Sequence, residues 1–455
     1  MVRNLGALTL LGLLAAGADG AGMTSHNVIA RRTLDFAGSD AMVDLAKART
    51  DSIHAGAPYP DFLYACGEEH DAGEATHWTP FQMAAAEYIR EKYPNWENEA
   101  PEEDGPGLVA FMMGVVSHYI ADLNWHGLEV VPDGEGLIRQ MGIADFNCTG
   151  DLCDTAHHAC DVGGEFMAAH MMDLAWFPNQ SWFVPVDDLL GIYDLANQSD
   201  WLQPSFPNPI KPAWIEECSI AFHVGSWAVA TFGDLIYPYF EKQSPFLAEN
   251  YVTFPVGGVE DDAAWTQWMW ERFGTWLQDG PPPTPPQSDL IAYQNRPPPE
   301  QRRAWLKTMV DAVKPLAIDG YNDGSLPIEI TKSANGGMHL TLDAEALSHD
   351  HEMARLLGEA LIAPLEAGDF PSASTWAPDE LAEMTNAIRD GVRSRAAHLA
   401  VSSAEESFEA AVEAAEEGET TLVAQGSQNH ELMGSVESGA LNANADADAD
   451  ADADA

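Results

Sequence analysis

Residues Leu108 to Val116 form an almost wholly apolar run, with Phe111, Met112, Met113, Val115 and Val116. The run is too short to cross a membrane and predicts a buried core helix. It continues into Ser117-His118-Tyr119-Ile120-Ala121-Asp122-Leu123-Asn124-Trp125-His126, where the polar residues His118, Asp122 and His126 recur at i, i+4, i+8. On a helix that spacing sets three side chains in one row. Helical patterns also cover 23–50, about 82–92, 156–174, 184–196 and 215–235. A further amphipathic helix over 262–277 has Trp265, Met269, Phe273 and Trp276 at helical spacing, read as core. Between them, residues 54–61 and 101–107 carry the Pro and Gly of loops. Beyond residue 286 the pattern changes. Helices are expected at 300–313, 344–362 and 378–400, and Ile328–Thr331 and Met338–Leu342 read as a hairpin across Asn335-Gly336-Gly337.

These patterns give an all-α domain followed by a small α+β region. Gly280 to Pro286 reads Gly-Pro-Pro-Pro-Thr-Pro-Pro, a stiff polyproline boundary. Residues 1–20, with Arg3, an apolar run from Leu5 to Ala15 and then small residues, read as a secretory signal cleaved after Ala18 or Gly20. The expected organisation is a signal peptide over 1–20, a helical domain over 21–279, a Pro-rich linker over 280–299, an accessory α+β region over 300–400 and a low-complexity tail over 401–455. Ala-Asp repeats near the end of that tail cannot build a core, so disorder is expected there. Three N-x-S/T sequons, at Asn147, Asn179 and Asn197, fit an extracellular route. Five cysteines (Cys66, Cys148, Cys153, Cys160 and Cys218) allow two disulfides and a leftover thiol, without fixing the pairing.

Charge narrows the partners. The 455-residue chain has 72 acidic and 21 basic residues, a net charge of −51, and acids predominate well before the tail. Binding to nucleic acid or to an anionic membrane by charge is excluded. No stretch after the leader reads as a transmembrane segment.

The candidate chemistry is metal chemistry. His118, Asp122 and His126 offer the nitrogen and oxygen donors that zinc takes. Three polar groups on a buried helix otherwise cost several kcal/mol unless partnered. A second row, His157, Asp161 and Glu165, repeats the i, i+4, i+8 spacing, and His26, Asp61 and His77 lie at helix ends or in loops. Two rows with further His and Asp in one helical chain point to a polynuclear site of the kind that hydrolyses phosphodiesters, where the ions activate water and neutralise charge. The competing reading of each row is hydrogen-bonded histidines at a helix end. His70, Asp71 and Glu74 are either partners that orient a ligand or solvated loop residues. Glu165 is balanced between an orienting role and the surface. His158 is expected to point away from the site, and His349 and His351 to lie on the surface.

Met23-Thr24-Ser25-His26, Pro60-Asp61, Thr76-His77-Trp78-Thr79-Pro80-Phe81, Ser117 to His126 and Ala156-His157-x-x-x-Asp161 occur in an order that resembles the zinc-dependent phospholipase C family. Tyr88 to Pro94, Gln140 to Gly142, Val184 to Tyr193 and Lys242 to Leu247 extend the likeness over roughly residues 21–279, most nearly to the glycosylphosphatidylinositol-specific phospholipase D branch. The resemblance implies an all-α, phospholipase C-like helical bundle with about two to three zinc ions. Asp61, His77, His118 and Asp122 would hold the first ion, and His126, His157 and Asp161 the second. His26 and Asp122 would share the third with the mature N-terminus. Asp61 and Asp122 would be the catalytic carboxylates, and Asp161 stands where the phospholipases C have Glu. The implied activity is secreted hydrolysis of the inositol–phosphate linkage of GPI anchors, with transient contact to a membrane or micelle carrying the phospholipid or GPI-anchored protein. The alternatives are a phospholipase C on phosphatidylcholine-like lipids and a non-catalytic, zinc-stabilised binding protein. Two features depart from the resemblance. The N-terminal ligand lies closer to its histidine, and no calcium-loop repeats of a β-propeller are read after Pro286. Asp319 to Gly324 comes nearest to such a loop and reads as a plain turn.

Overall fold

The computed structural model describes residues 22–37, 41–66, 70–126, 136–147, 154–177, 180–198, 209–285, 305–363, 365, 377 and 379–399. The leader, most of the Pro-rich linker, Cys148, Cys153, Asn179 and the tail from 401 lie outside the described residues. The chain divides into two compact units, residues 1–397 and 398–455, and the elements below belong to the first, apart from the last two residues of the final helix.

The helices are α1 (Met23–Phe36), α2 (Ala41–Ala48), α3 (Thr50–Gly56), α4 (Tyr59–Ala65), α5 (His70–Thr76), α6 (Thr79–Lys92), α7 (Asp104–His126), α8 (Leu137–Asp145), α9 (Asp154–Met171), α10 (Val186–Asn197), α11 (Pro212–Phe232), α12 (Tyr237–Gln243), α13 (Pro245–Asn250), α14 (Val259–Asp279), α15 (Trp305–Asp323), α16 (Ala344–His349) and α17 (His351–Ala360). A last helix covers 379–399. The strands β1 (Ser181–Val184), β2 (Ile328–Lys332) and β3 (Met338–Leu342) form one antiparallel sheet in the order β1-β3-β2.

The predicted core helix is α7, at the centre of the bundle, with α3, α14, α1 and α6 packed around it. Its length and hydropathy would suit a membrane span, but protein covers it on all sides. Trp270 of α14 donates its indole N–H to the Met113 carbonyl at 2.8 Å, filling a bond the apolar surroundings cannot supply. α3 crosses α7 at backbone contact. A Cβ on Gly56 would sit 2.0 Å from the Phe111 carbonyl oxygen, and one on Gly114 2.4 Å from that of Ile53. Only glycine at both positions allows this approach, and it delivers the Ala57 carbonyl to His118.

The helix predicted over 23–50 is broken into α1, α2 and the start of α3. Arg49 marks the last break. Its guanidinium is drawn to the carbonyls of Pro101 (2.7 Å) and Glu103 (3.1 Å), to the Asp51 carboxylate (3.0 Å) and over the Phe183 ring. Those contacts outweigh its helix propensity. Residues 54–61, read as a loop, mostly fold into the ends of α3 and α4, with only Ala57 and Pro58 as the turn. Val184, read as the start of a helix, ends strand β1, where Trp182, Phe183 and Val184 are buried. The helix read over 344–362 is two, because Asp350 turns its carboxylate to the Met353 N–H (3.0 Å) and caps α17. Asp319 to Asp323 is not a turn but the end of α15, which runs through Pro315 and packs on α11. The left-handed Gly324 (φ 77°) follows it. Trp265, read as core, is 49% exposed.

The expected hairpin forms, from Ile328 opposite Leu342 to Lys332 opposite Met338. Its far neighbour is β1, with Ser181 opposite Thr341 and Val184 opposite Met338. Segments from both sides of the polyproline stretch thus share one sheet. Ser333 at the hairpin tip donates to Asp104 at the start of α7 (2.8 Å).

Of the open cysteine pairings, the structure contains Cys66–Cys218, joining the end of α4 to α11, and Cys160 is a buried free thiol. The bond closes a separation of 152 residues. Replacing both cysteines with serine is expected to cost about 2–5 kcal/mol of stability, read as the shift in urea unfolding midpoint. An unchanged midpoint would show the bond adds nothing to folding.

Candidate metal centre

Three parts of the chain converge on the polar row of α7. α1 brings His26, α4 brings Asp61 in its first turn, and the junction of α5 and α6 brings His77. His26, Asp61 and His118 form one close group, and His77, His118 and Asp122 another, all of them buried. The His118 Nε2 atom lies 3.2 Å from Asp122 Oδ2 and 3.9 Å from Asp61 Oδ1. His77 Nε2 lies 3.4 Å from Asp61 Oδ1 and 3.6 Å from Asp122 Oδ2. His26 Nε2 and His126 Nε2 approach Asp122 Oδ1 at 3.4 and 3.7 Å. The His26 ring stacks on His118 with centroids 3.6 Å apart, and the His77 ring meets His118 edge-on.

The tautomers are set from outside the cluster. His118 Nδ1–H donates to the Ala57 carbonyl (2.7 Å) and His77 Nδ1–H to the Gly73 carbonyl (2.9 Å), since a carbonyl can only accept. Both Nε2 atoms are thereby turned inward, the usual way a backbone carbonyl orients a metal-binding histidine. Both ring nitrogens of His26, both oxygens of Asp61, Nε2 of His118 and Oδ1 of Asp122 are buried without a hydrogen-bond partner. Each such group costs about 1–3 kcal/mol. A divalent cation would satisfy them together, and the donor set of imidazole nitrogens and carboxylate oxygens suits zinc.

Protonation shows the same strain. Burial and the neighbouring His118 lower His26 to about 3. Burial also works to lower His77, but the Asp61 and Asp122 carboxylates outweigh it and lift the imidazole to about 9. Burial alone would raise Asp61 and Asp122. The imidazoles, His118 foremost, hold both below the usual carboxylate range. The cluster therefore draws in positive charge, which a metal supplies without a proton.

The second row is partly visible. Asp161 and Glu165 are both fully buried on α9. His157 lies on the same helix, but its side chain, like those of His70 and His158, falls outside the described residues. Glu165 proves to be an orienting residue. Both its oxygens accept the Thr24 N–H, at 2.8 and 3.0 Å, so α9 caps the start of the helix that carries His26. The fit is close: a Cβ on Gly22 would lie 2.4 Å from Glu165 Oε1. Glu74 is likewise buried and accepts the Trp78 indole N–H at 2.7 Å, clamping the residues on either side of His77. Asp262 of α14, not singled out by the sequence, is buried and accepts the Asn124 amide at 3.0 Å, between two members of the row. Its only sequence signal is a carboxylate in the first turn of a helix, which is common. His349 and His351 are exposed, as expected.

Residues 25–211 match the family model described as zinc dependent phospholipase C. The chain is 36% identical over 262 residues to a phosphatidylinositol-glycan-specific phospholipase D of Dictyostelium discoideum (57% of this chain, 26% of that protein). It is 32% identical over 284 residues to the Homo sapiens protein of that name (60% of this chain, 31% of that one). An uncharacterised Saccharomyces cerevisiae protein is 30% identical over 188 residues (40% of this chain, 22% of that one). The chain thus spans about a quarter to a third of the length of the curated relatives it matches. No solved structure matches. A zinc-dependent phospholipase C-like domain is therefore present, and among the described residues up to Asp279 the elements are helical apart from the short strand β1.

Burial raises the Glu165 carboxyl to about 7, against the Thr24 N–H bonds that hold it back. A group raised in the folded state gives stability fully present below its unfolded value, near 4.5, and lost as pH rises through about 7. The Glu165→Gln variant, which cannot ionise, is expected to gain on the wild type across that window. Urea midpoints of both proteins after chelator treatment, at about pH 5 and about pH 8, check this. A difference that does not change with pH would refute it.

Proposed function

We propose that the chain is a secreted zinc phosphodiesterase that cleaves the inositol–phosphate linkage of GPI anchors in the phospholipase D manner. The observation that carries the reading is the buried cluster of His26, Asp61, His77, His118 and Asp122, joined by the half-buried His126, with atoms of His26, Asp61, His118 and Asp122 left without a hydrogen bond. The similarity to phosphatidylinositol-glycan-specific phospholipases D supports the substrate. A site closed for structure alone needs only four ligands per zinc. Six donors in contact, with Asp161 and His157 on the next helix, favour catalysis over a purely structural metal.

Asp61, His77, His118 and Asp122 would hold one ion, and His126, His157 and Asp161 a second. His26 and Asp122 would share a third with the backbone of the mature N-terminal residue, giving about two to three per chain. Bound zinc supplies activation of water and neutralisation of the charge that develops on the phosphate oxygens. The protein supplies the rest. His118 and His77 are held rigid by the Ala57 and Gly73 carbonyls. Asp122 lies within 3.2–3.7 Å of His26, His77, His118 and His126 and would join the groups that hold the ions. Asp61, fully buried and kept ionised by the imidazoles, is the group to which a water proton passes.

Two measurements follow. Elemental analysis of purified protein is expected to give about two to three equivalents of zinc. Asp122→Ala should lower that content and abolish hydrolysis, while His349→Ala, on the exposed surface, should do neither. Near-normal turnover of Asp122→Ala would refute the bridging role.

A GPI-anchored reporter in detergent should be released with phosphatidic acid as the lipid product. Phenanthroline should stop release and added zinc restore it. Diacylglycerol as the product would move the assignment to a phospholipase C, the activity in the matched family's name. No hydrolysis of any phospholipid by zinc-loaded protein would leave a binding protein.

A further inference from the structure

We propose that the exposed aromatic face formed by Phe36, Trp265 and Trp268 docks the protein on a zwitterionic lipid–water interface. The proposal rests on the reading that the substrate is carried by a lipid surface. α14 buries one side, with Ala263, Thr266, Met269, Trp270 and Phe273 inward. Its other side carries Trp265 and Trp268, 49% and 48% exposed, in edge-to-face contact at 5.9 Å. Phe36 at the end of the neighbouring α1 is 46% exposed. Arg32 joins the two helices: its guanidinium lies over the Phe36 ring (4.6 Å) and reaches Glu260 at 3.3 Å.

The position is tied to the site. Asp262, one turn before Trp265, takes the Asn124 amide, and Gly257 packs against the backbone of Asn124 and Trp125. Asn124 lies between Asp122 and His126 on α7, so the first turn of α14, from which the aromatic face continues, is held to the end of α7 that carries the polar row.

The chemistry of the face selects the partner. Tryptophan with arginine beside it is the composition that settles at a lipid interface, the ring at headgroup depth and the guanidinium in water. Arg272 stands over Trp268 at 5.6 Å, and Arg32 flanks Phe36. These cations meet a headgroup phosphate, while Glu260 and Glu271 on the same helix meet its ammonium. A headgroup carrying both charges complements both sets. An anionic surface is disfavoured by the net charge of −51.

The test uses the full metal-loaded chain and phosphatidylcholine vesicles. Flotation and tryptophan emission both read binding without turnover. The wild type is expected to float with the vesicles and its emission to shift to shorter wavelength. Trp265→Ser with Trp268→Ser should weaken partitioning roughly tenfold or more, and Phe36→Ser should weaken it less. Ile143→Ser, at an exposed apolar residue on α8, should leave partitioning unchanged. Unchanged zinc content and near-ultraviolet dichroism establish that the variants are folded. Equal partitioning of wild type and double variant, or a wild type that stays off the vesicles, would overturn the proposal. So would concentration-dependent self-association lost in the double variant, which would assign the face to a second copy of the chain. A wild type that partitions normally yet hydrolyses no lipid phosphodiester would count against the proposed reaction and leave the docking face standing.

Discussion

The cost of burying ionisable groups governs this structure. Imidazoles and carboxylates from four separate elements meet in a region from which water is excluded, and several of their donor atoms have no hydrogen bond. No helical core accepts that arrangement for its own sake, because desolvation penalises each charge and a lone carboxylate would neutralise. The protein spends packing on holding the groups there. α7 is buried along nearly its whole length, two glycines let α3 reach its backbone, and that contact carries the carbonyl that fixes His118. The site is a demand the fold was built around.

A second consequence is the number of buried carboxylates that never touch the cluster's centre yet hold its parts. Glu165 caps α1, Glu74 anchors Trp78, and Asp262 holds Asn124. Each takes a donor that the helix ends or side chains would otherwise leave unpaired. Through Glu165 the helix with Asp161 and the helix with His26 are fixed to one another, so the second row cannot drift away from His26. An excess of acid in the composition is therefore more than surface solubility. Part of it lies inside and is answered by backbone N–H groups and a few polar side chains.

The sequence was informative where periodicity carries the signal. The row on α7 follows directly from i, i+4, i+8 spacing, and the hairpin from two β-rich runs around Asn-Gly-Gly. His26, Asp61 and His77 come from three other elements and no spacing links them; the family resemblance supplied them, and the structure brings them into the cluster. Periodicity failed where tertiary contacts override propensity. Arg49 breaks a helix because two distant carbonyls claim its guanidinium, and residues 54–61 coil into helix because α7 is close enough to bury them. The strand β1 was unreadable because its partner lies more than 150 residues away in sequence. Helical spacing also placed Trp265 in the core with Met269 and Phe273, but two of every seven positions on an amphipathic helix flank the buried stripe, and one residue of rotation separates core from surface.

That rotation matters for how a deep site reaches a lipid substrate. The cluster's donor atoms are largely buried, where interaction with a phosphate is strong because the dielectric is low. A substrate phosphate anchored at a membrane cannot diffuse into such a site freely; its lipid must be lifted or the protein must sink. The chain has too much negative charge to be drawn to an anionic bilayer, so steering by net charge cannot supply the approach. Non-directional burial of aromatic surface can, and it acts at short range, where the ends of α7 and α14 meet. On the proposed reading, a highly acidic chain and an exposed aromatic edge are two parts of one solution: repulsion keeps the protein off anionic surfaces, and the aromatic edge would favour a zwitterionic interface.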